Sequence, residues 1–133
     1  MSNYNYSKIP QELNTITGHI VSAAFNVHSA LGPGLLEKVY EICLCHEIAK
    51  RGLEYERQTY IPITYDGLTF DEGLRLDIIV NNSVICEIKA IETVHPVWDA
   101  QILSHLKLTG CRVGLLINFN VPLMKNGIKR FVK

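Results

Sequence analysis

Arg75-Leu-Asp-Ile-Ile-Val-Asn-Asn-Ser-Val-Ile-Cys-Glu-Ile-Lys89 is the stretch that decides the fold. Leu76 to Val80 and Val84 to Ile88 are apolar and largely β-branched, and Asn81, Asn82 and Ser83 between them are turn formers. The pattern predicts two strands joined by a tight turn. Folding the hairpin about Asn82 sets Asp77 directly opposite Glu87, with Lys89 on the same face, because side chains alternate along a strand. Two opposed carboxylates destabilise a sheet unless something positive lies between them. Lys89 is one candidate and a divalent cation the other, since hard oxygen ligands suit Mg²⁺ or Mn²⁺. The plainer alternative is a surface hairpin whose polar face carries charge. The flanks argue against it. Apolar residues on both faces describe a central strand pair, where Asp and Glu are rare unless paired or bound to a cation.

Working outward toward the N-terminus, Glu54 to Tyr65 alternates as a strand, with Pro62 marking an edge or an irregularity. Tyr65-Asp66-Gly67-Leu68 reads as a hairpin turn, and Thr69 to Val80 as the next strand, interrupted near Gly73. Pro10 to Leu31 has the i, i+3, i+4 apolar spacing of an amphipathic helix, and Gly32-Pro33-Gly34 breaks it. A second helix is expected from Leu35 to Arg51, closed by Gly52, with Leu36, Val39, Tyr40, Cys43, Leu44 and Ile48 as its stripe. Glu37 falls in its first turn, where the helix dipole favours an anion. Tyr40, three residues on, could hydrogen-bond Glu37. Residues 1–7 are expected to be loose.

Toward the C-terminus, Ala90 to Pro96 is a connector. Val97 to Thr109 is a helix with Trp98, Ile102, Leu103 and Leu106 on its apolar face and Gln101 and His105 as a polar pair beside it. Arg112 to Phe119 is a buried strand, Asn120 to Gly127 a loop, and Ile128 to Val132 a short final strand. The order α-α-β-β-β-α-β-β describes one mixed α/β domain over residues 1–133.

Composition narrows the class. A chain of 133 residues with 47% hydrophobic content suits one soluble globular domain. No apolar run approaches the roughly 18 residues of a membrane span, and the polar N-terminus lacks the layout of a signal peptide, so no membrane and a cytoplasmic location are expected. Cys43, Cys45, Cys86 and Cys111 lie in or beside apolar segments and read as free thiols. Net charge is zero, but residues 107–133 carry six Lys or Arg and no Asp or Glu. That end could face phosphates, or be a solvated terminus beside an acidic body.

The hairpin resembles the core of the PD-(D/E)XK nuclease superfamily, which has the restriction-endonuclease-like fold: Asp77 matches the Asp of the signature, and Glu87-Ile88-Lys89 its E-x-K. More narrowly, Gly34-Leu-Leu-Glu37-Lys-Val-Tyr40 is similar to the motif that names the GxxExxY protein family. Arg75-Leu-Asp77, Gln101 with Leu106-Lys107, and Gly114-Leu-Leu-Ile-Asn-Phe119 are similar to it too. His105 stands where that family's pattern has Tyr, a departure expected to alter packing or a polar contact near Gln101.

The resemblance implies metal-assisted hydrolysis of phosphodiester bonds in DNA or RNA. Asp77 and Glu87 would ligate Mg²⁺ or Mn²⁺, with the Ile88 carbonyl supplying a further oxygen. Glu37 would be a third acidic ligand or a carboxylate just behind the ligands. Lys89 would orient and help deprotonate the attacking water or stabilise the developing charge, and Gln101 would position water or a phosphate. Tyr40 and Arg75 would support the site. Three carboxylates, one dication and one lysine leave the loaded site near neutral, so a phosphodiester can approach. The alternative is an inactive domain of the same fold that binds nucleic acid or a protein partner; intact Asp77, Glu87 and Lys89 favour the enzyme, while small size and zero net charge favour the module. A homodimer would give so short a chain a longer footprint on nucleic acid.

Overall fold

Five strands form one mixed sheet in the order β1-β2-β3-β4-β5. The computed structural model describes residues 8–133; residues 1–7, and with them the expected loose end, lie outside the described residues. Two helices come first, α1 (Gln11–Leu31) and α2 (Glu37–Lys50), followed by β1 (Tyr55–Tyr65), β2 (Leu68–Val80) and β3 (Val84–Lys89). Then come α3 (Val97–Thr109), β4 (Val113–Asn118), a turn of 3₁₀ helix at Met124–Asn126, and β5 (Ile128–Val132). Neighbouring strands are antiparallel except β3 and β4. That parallel pair needs a long crossover, which α3 supplies. The result is the α/β architecture expected from the sequence, consistent with the restriction-endonuclease-like fold.

Helices cover both faces of the sheet. On one, Ile20, Tyr40, Leu44 and Ile48 of α1 and α2 pack on Ile78, Val84, Cys86, Ile88, Leu115 and Ile117. On the other, Leu106 of α3 packs on Leu76, Ile79 and Ile85, and Trp98 and Ile102 pack on Leu116. This two-sided cover explains why β3 and β4 read as continuous apolar runs. All four cysteines are free, and burial pushes the Cys45 thiol up to about 12, which leaves it protonated and unreactive at neutral pH.

Three expectations need correction. The second helix begins at Glu37, not Leu35, and Leu36 and Val39 are exposed while Glu41 and Cys45 are buried. Leu36 sits on extended backbone before the helix, so its side chain is not carried on the core-facing stripe. Leu103 of α3 is likewise exposed. The interruption near Gly73 is a register shift inside a continuous β2, between Ile61 and Ile63 of β1. A Cβ at Gly73 would lie 2.5 Å from Ile63 Cγ1, so only glycine permits the strands to close there.

The β1–β2 hairpin runs well beyond the rest of the sheet. β3 pairs only with Ile78, Ile79 and Val80 of β2, and β2 from Leu68 to Leu76 pairs with β1 alone. Asp66 and Gly67 at the tip both have left-handed φ, the geometry of a type I′ turn.

Candidate active site

The candidate site grows from the β2–β3 turn. Asn81 and Asn82 both adopt left-handed φ, at 48° and 52°, which Asn tolerates better than most residues. The Asn81 side chain accepts a hydrogen bond from the Glu54 N–H at 2.8 Å, and the Ser83 hydroxyl donates to the Asn81 carbonyl at 2.7 Å. With the turn held, Val80 pairs with Val84, Ile79 with Ile85 and Ile78 with Cys86. The next step on this register is Asp77 with Glu87. There the ladder gives way to side chains: the Ile88 N–H donates to Asp77 Oδ2 at 2.9 Å, and burial and the nearby Glu87 carboxyl raise the Asp77 pKa.

The two acids meet, but not on one face as the sequence predicts. Ile78 and Val80 pack toward α1 and α2, whereas Leu76 packs with Ile79 toward α3. Strict alternation would put Leu76 with Ile78, so the alternation breaks at Asp77. Gln58, between the β1 residues that pair with Leu76 and Ile78, has a φ of 51°. Asp77 therefore opens toward α2, where it shares a cleft of about 320 Å³ with Glu37, Lys38, Glu41, Arg57, Gln58 and Arg75. Glu87, 7% exposed, turns toward α3, where its Oε1 lies 3.0 Å from Nδ1 of His105.

Glu37 opens α2 at the exposed rim of the cleft. Partial desolvation and the neighbouring Asp77 raise its pKa, against the pull of Lys89 and Arg75. Burial pushes Asp77 further, up to about 6; Glu87 adds to the rise, while the Ile88 N–H and Lys89 oppose it. Such pairing of like charges is what a cation would relieve. Among the described residues no three His, Cys, Asp or Glu gather closely enough to form a metal cluster, so Glu37 feels Asp77 without joining it and Glu87 in one ligand set.

Tyr40 does not bond Glu37. Its fully buried phenol donates to the Gly32 carbonyl at 2.6 Å and accepts from the Leu35 N–H at 3.0 Å, while its ring stacks on Phe119 at 4.6 Å. It pins the segment that feeds α2, and so sets where Glu37 begins. Lys89 Nζ lies 5.5 Å from the centre of the Trp98 ring. Asn118, paired with Lys89 across the parallel strands, holds the connector after β3 through bonds with both Ile91 backbone groups. Gln101 is exposed on α3, one turn before His105. Arg75 stands exposed on the cleft wall.

Sequence reasoning missed a second polar cluster beneath the cleft. Glu41 is 5% exposed and accepts from Arg57 at 2.8 Å and Gln58 at 2.7 Å. Its position four residues after Glu37, on one helical face, was the available signal. His105, noted only as a neighbour of Gln101, contacts a candidate ligand directly.

Among curated proteins and among solved structures nothing matches this chain. A family model does: that of the PD-(D/E)XK nuclease superfamily, over residues 14–131. The match spans every strand and helix that builds the cleft, and the chain belongs to the PD-(D/E)XK nuclease superfamily.

Proposed function

We propose that this domain is a divalent-metal-dependent nuclease of the GxxExxY type, hydrolysing phosphodiester bonds in DNA or RNA. The observation that carries the reading is the neighbouring Asp77 and Glu87 carboxyls at the open end of two central strands, Asp77 held by the Ile88 N–H and Glu87 by His105, with Lys89 two residues beyond. Two partly or fully buried carboxyls that repel each other, beside the backbone carbonyl of Ile88, are a hard-oxygen set suited to Mg²⁺ or Mn²⁺. Mg²⁺ keeps several of its waters in such sites, so Glu37 fits as a carboxylate behind the ligands, reaching the ion through one of those waters. The bound ion would supply Lewis acidity and a more acidic water.

The chain's own residues divide the remaining work. Asp77 and Glu87 hold position because the Ile88 N–H and His105 grip one oxygen of each. Lys89, backed by Trp98, presents a cation to the attacking water or to charge developing on the phosphate. Gln101, on the exposed face of α3, would orient water or a phosphate oxygen. Homodimerisation would lengthen the footprint and is part of the same proposal. Among the described residues no helix is long and apolar enough to cross a membrane.

The test is a cleavage assay on single- and double-stranded DNA and RNA with Mg²⁺ or Mn²⁺. Metal-dependent cleavage that disappears in Asp77→Asn and Lys89→Ala is the expected result. Metal-independent binding without cleavage of any substrate would replace the enzyme with a nucleic-acid-binding module of the same fold.

A further inference from the structure

Resting on the nuclease reading, we infer that the cleft continues along the β1–β2 arm as a binding track for single-stranded nucleic acid, with Arg75 taking a backbone phosphate and Tyr60 stacking a base. Tyr60 and Arg75 are directly paired across the two strands. Directly opposed residues share a face of the sheet, their Cβ atoms about 5 Å apart. Arg75 and Asp77, two residues apart on β2, line the same cleft. One step up β2 from the candidate metal site at Asp77 there is therefore a guanidinium, with a phenol ring directly beside it on β1.

Both groups are free to engage a ligand. Tyr60 is 58% exposed and has no ring partner, and Arg75 is exposed and has no ion-pair or hydrogen-bond partner, among the described residues. By contrast Arg57, the other guanidinium of the cleft, is committed to Glu41. An exposed aromatic ring beside a free cation offers a base its π-face and the backbone a counter-charge. A reading as mere scaffold leaves Tyr60 unexplained. It lies on a two-stranded arm, and nothing on that arm covers it.

Charge beyond Tyr60 selects the single strand. From residue 58 to residue 74 there are three acids, Asp66, Asp71 and Glu72, and no Lys or Arg. A stiff duplex continuing along the arm would lay phosphates against these carboxylates. A flexible strand meets Arg75 and Tyr60 and turns away. The shared chemistry, a stackable base next to a phosphodiester, occurs in both DNA and RNA.

The measurement is fluorescence anisotropy of the full chain with Ca²⁺ in place of Mg²⁺. The probes are labelled single-stranded DNA and RNA of about 12 nucleotides, within the span of one such surface, and the matching DNA duplex. Single strands of at least one kind should bind roughly tenfold or more tightly than duplex. Tyr60→Ala should weaken single-strand binding about tenfold while Tyr60→Phe retains it, and Arg75→Ala should lower the salt slope by about one. Unchanged melting of each variant shows that the exposed substitutions leave the fold intact. Duplex binding as tight as single-strand binding overturns the inference, as does a Tyr60→Ala variant that binds like the wild type or a Tyr60→Phe variant that fails with it. Metal-dependent cleavage lost in Lys89→Ala would leave the nuclease reading standing through any of those outcomes. Absence of all cleavage, with strand preference intact, would remove the nuclease and keep the track.

Discussion

His105 Nδ1 lies 3.0 Å from Oε1 of Glu87, linking the helix after β3 to one of the two acids at the open end of the sheet. The contact engages one Glu87 oxygen and leaves the second for a cation. Partners of this kind, standing behind a ligand, commonly contribute 10- to 100-fold in metal affinity. His105→Ala should weaken Mn²⁺ binding by about tenfold, read by titration calorimetry, and His105→Gln, which keeps a donor, should recover part of it. Equal Mn²⁺ affinity in wild type and His105→Ala would show that Glu87 is held by other means.

Asp77 gives the domain an acid-side stability slope. Its folded pKa is raised to about 6 from 3.8. Between those values the native state keeps a proton that the unfolded chain has released. Stability is therefore fully present below about pH 4 and falls as pH rises through about 6. Melting followed from pH 4 to 7 without metal should show that fall, and Asp77→Asn should flatten it. Mg²⁺ or Mn²⁺ should raise the melting temperature more at pH 7.5 than at pH 5, because the pair must shed its proton to take the ion.

Tyr40→Phe removes one hydroxyl and two hydrogen bonds, to Gly32 and Leu35. The ring stack on Phe119 survives the change. Leaving these part-buried backbone groups without the hydroxyl should cost about 1 kcal/mol in urea unfolding. Activity should fall more than stability predicts if the segment before α2 sets the place of Glu37. Equal activity at temperatures where both proteins are folded would separate Tyr40 from the site.

Glu41 and Arg57 form a partly buried ion pair at 2.8 Å, with side-chain exposures of 7% and 32%. Glu41→Ala strands the Arg57 guanidinium, whose Nε is already buried without a partner among the described residues. The single change should destabilise by roughly 3 kcal/mol. Glu41→Leu with Arg57→Met should recover most of that loss, since apolar replacement of a buried pair is often neutral. A double variant as unstable as Glu41→Ala would show that Gln58 also depends on Glu41.

The hairpin turn, its register and the order of elements were legible because they rest on local chemistry. Asn81, Asn82 and Ser83 can form little else, and two apolar runs flanking them can pair in few ways. Three features were not legible. The break in alternation at Asp77 is shared with Gln58 on another strand, and nothing in the identity of Gln58 announces a left-handed φ. Glu41 sits within an apolar stripe, and its compensation by Arg57 and Gln58 comes from residues 16 and 17 positions away. The partner of Tyr40 depended on the path of the Gly32–Leu35 segment, so spacing alone pointed to Glu37 instead. In each case the missing information was which distant backbone would arrive beside the side chain.

Asp77 is tied to the Ile88 N–H only eleven residues along the chain, through the short β2–β3 turn. Loop closure over so short a span is fast and entropically light. During folding the acid pair should thus form early, before α2 delivers Glu37 from forty residues upstream. On the proposed reading, a nascent chain would then meet a cation with part of its pocket already made.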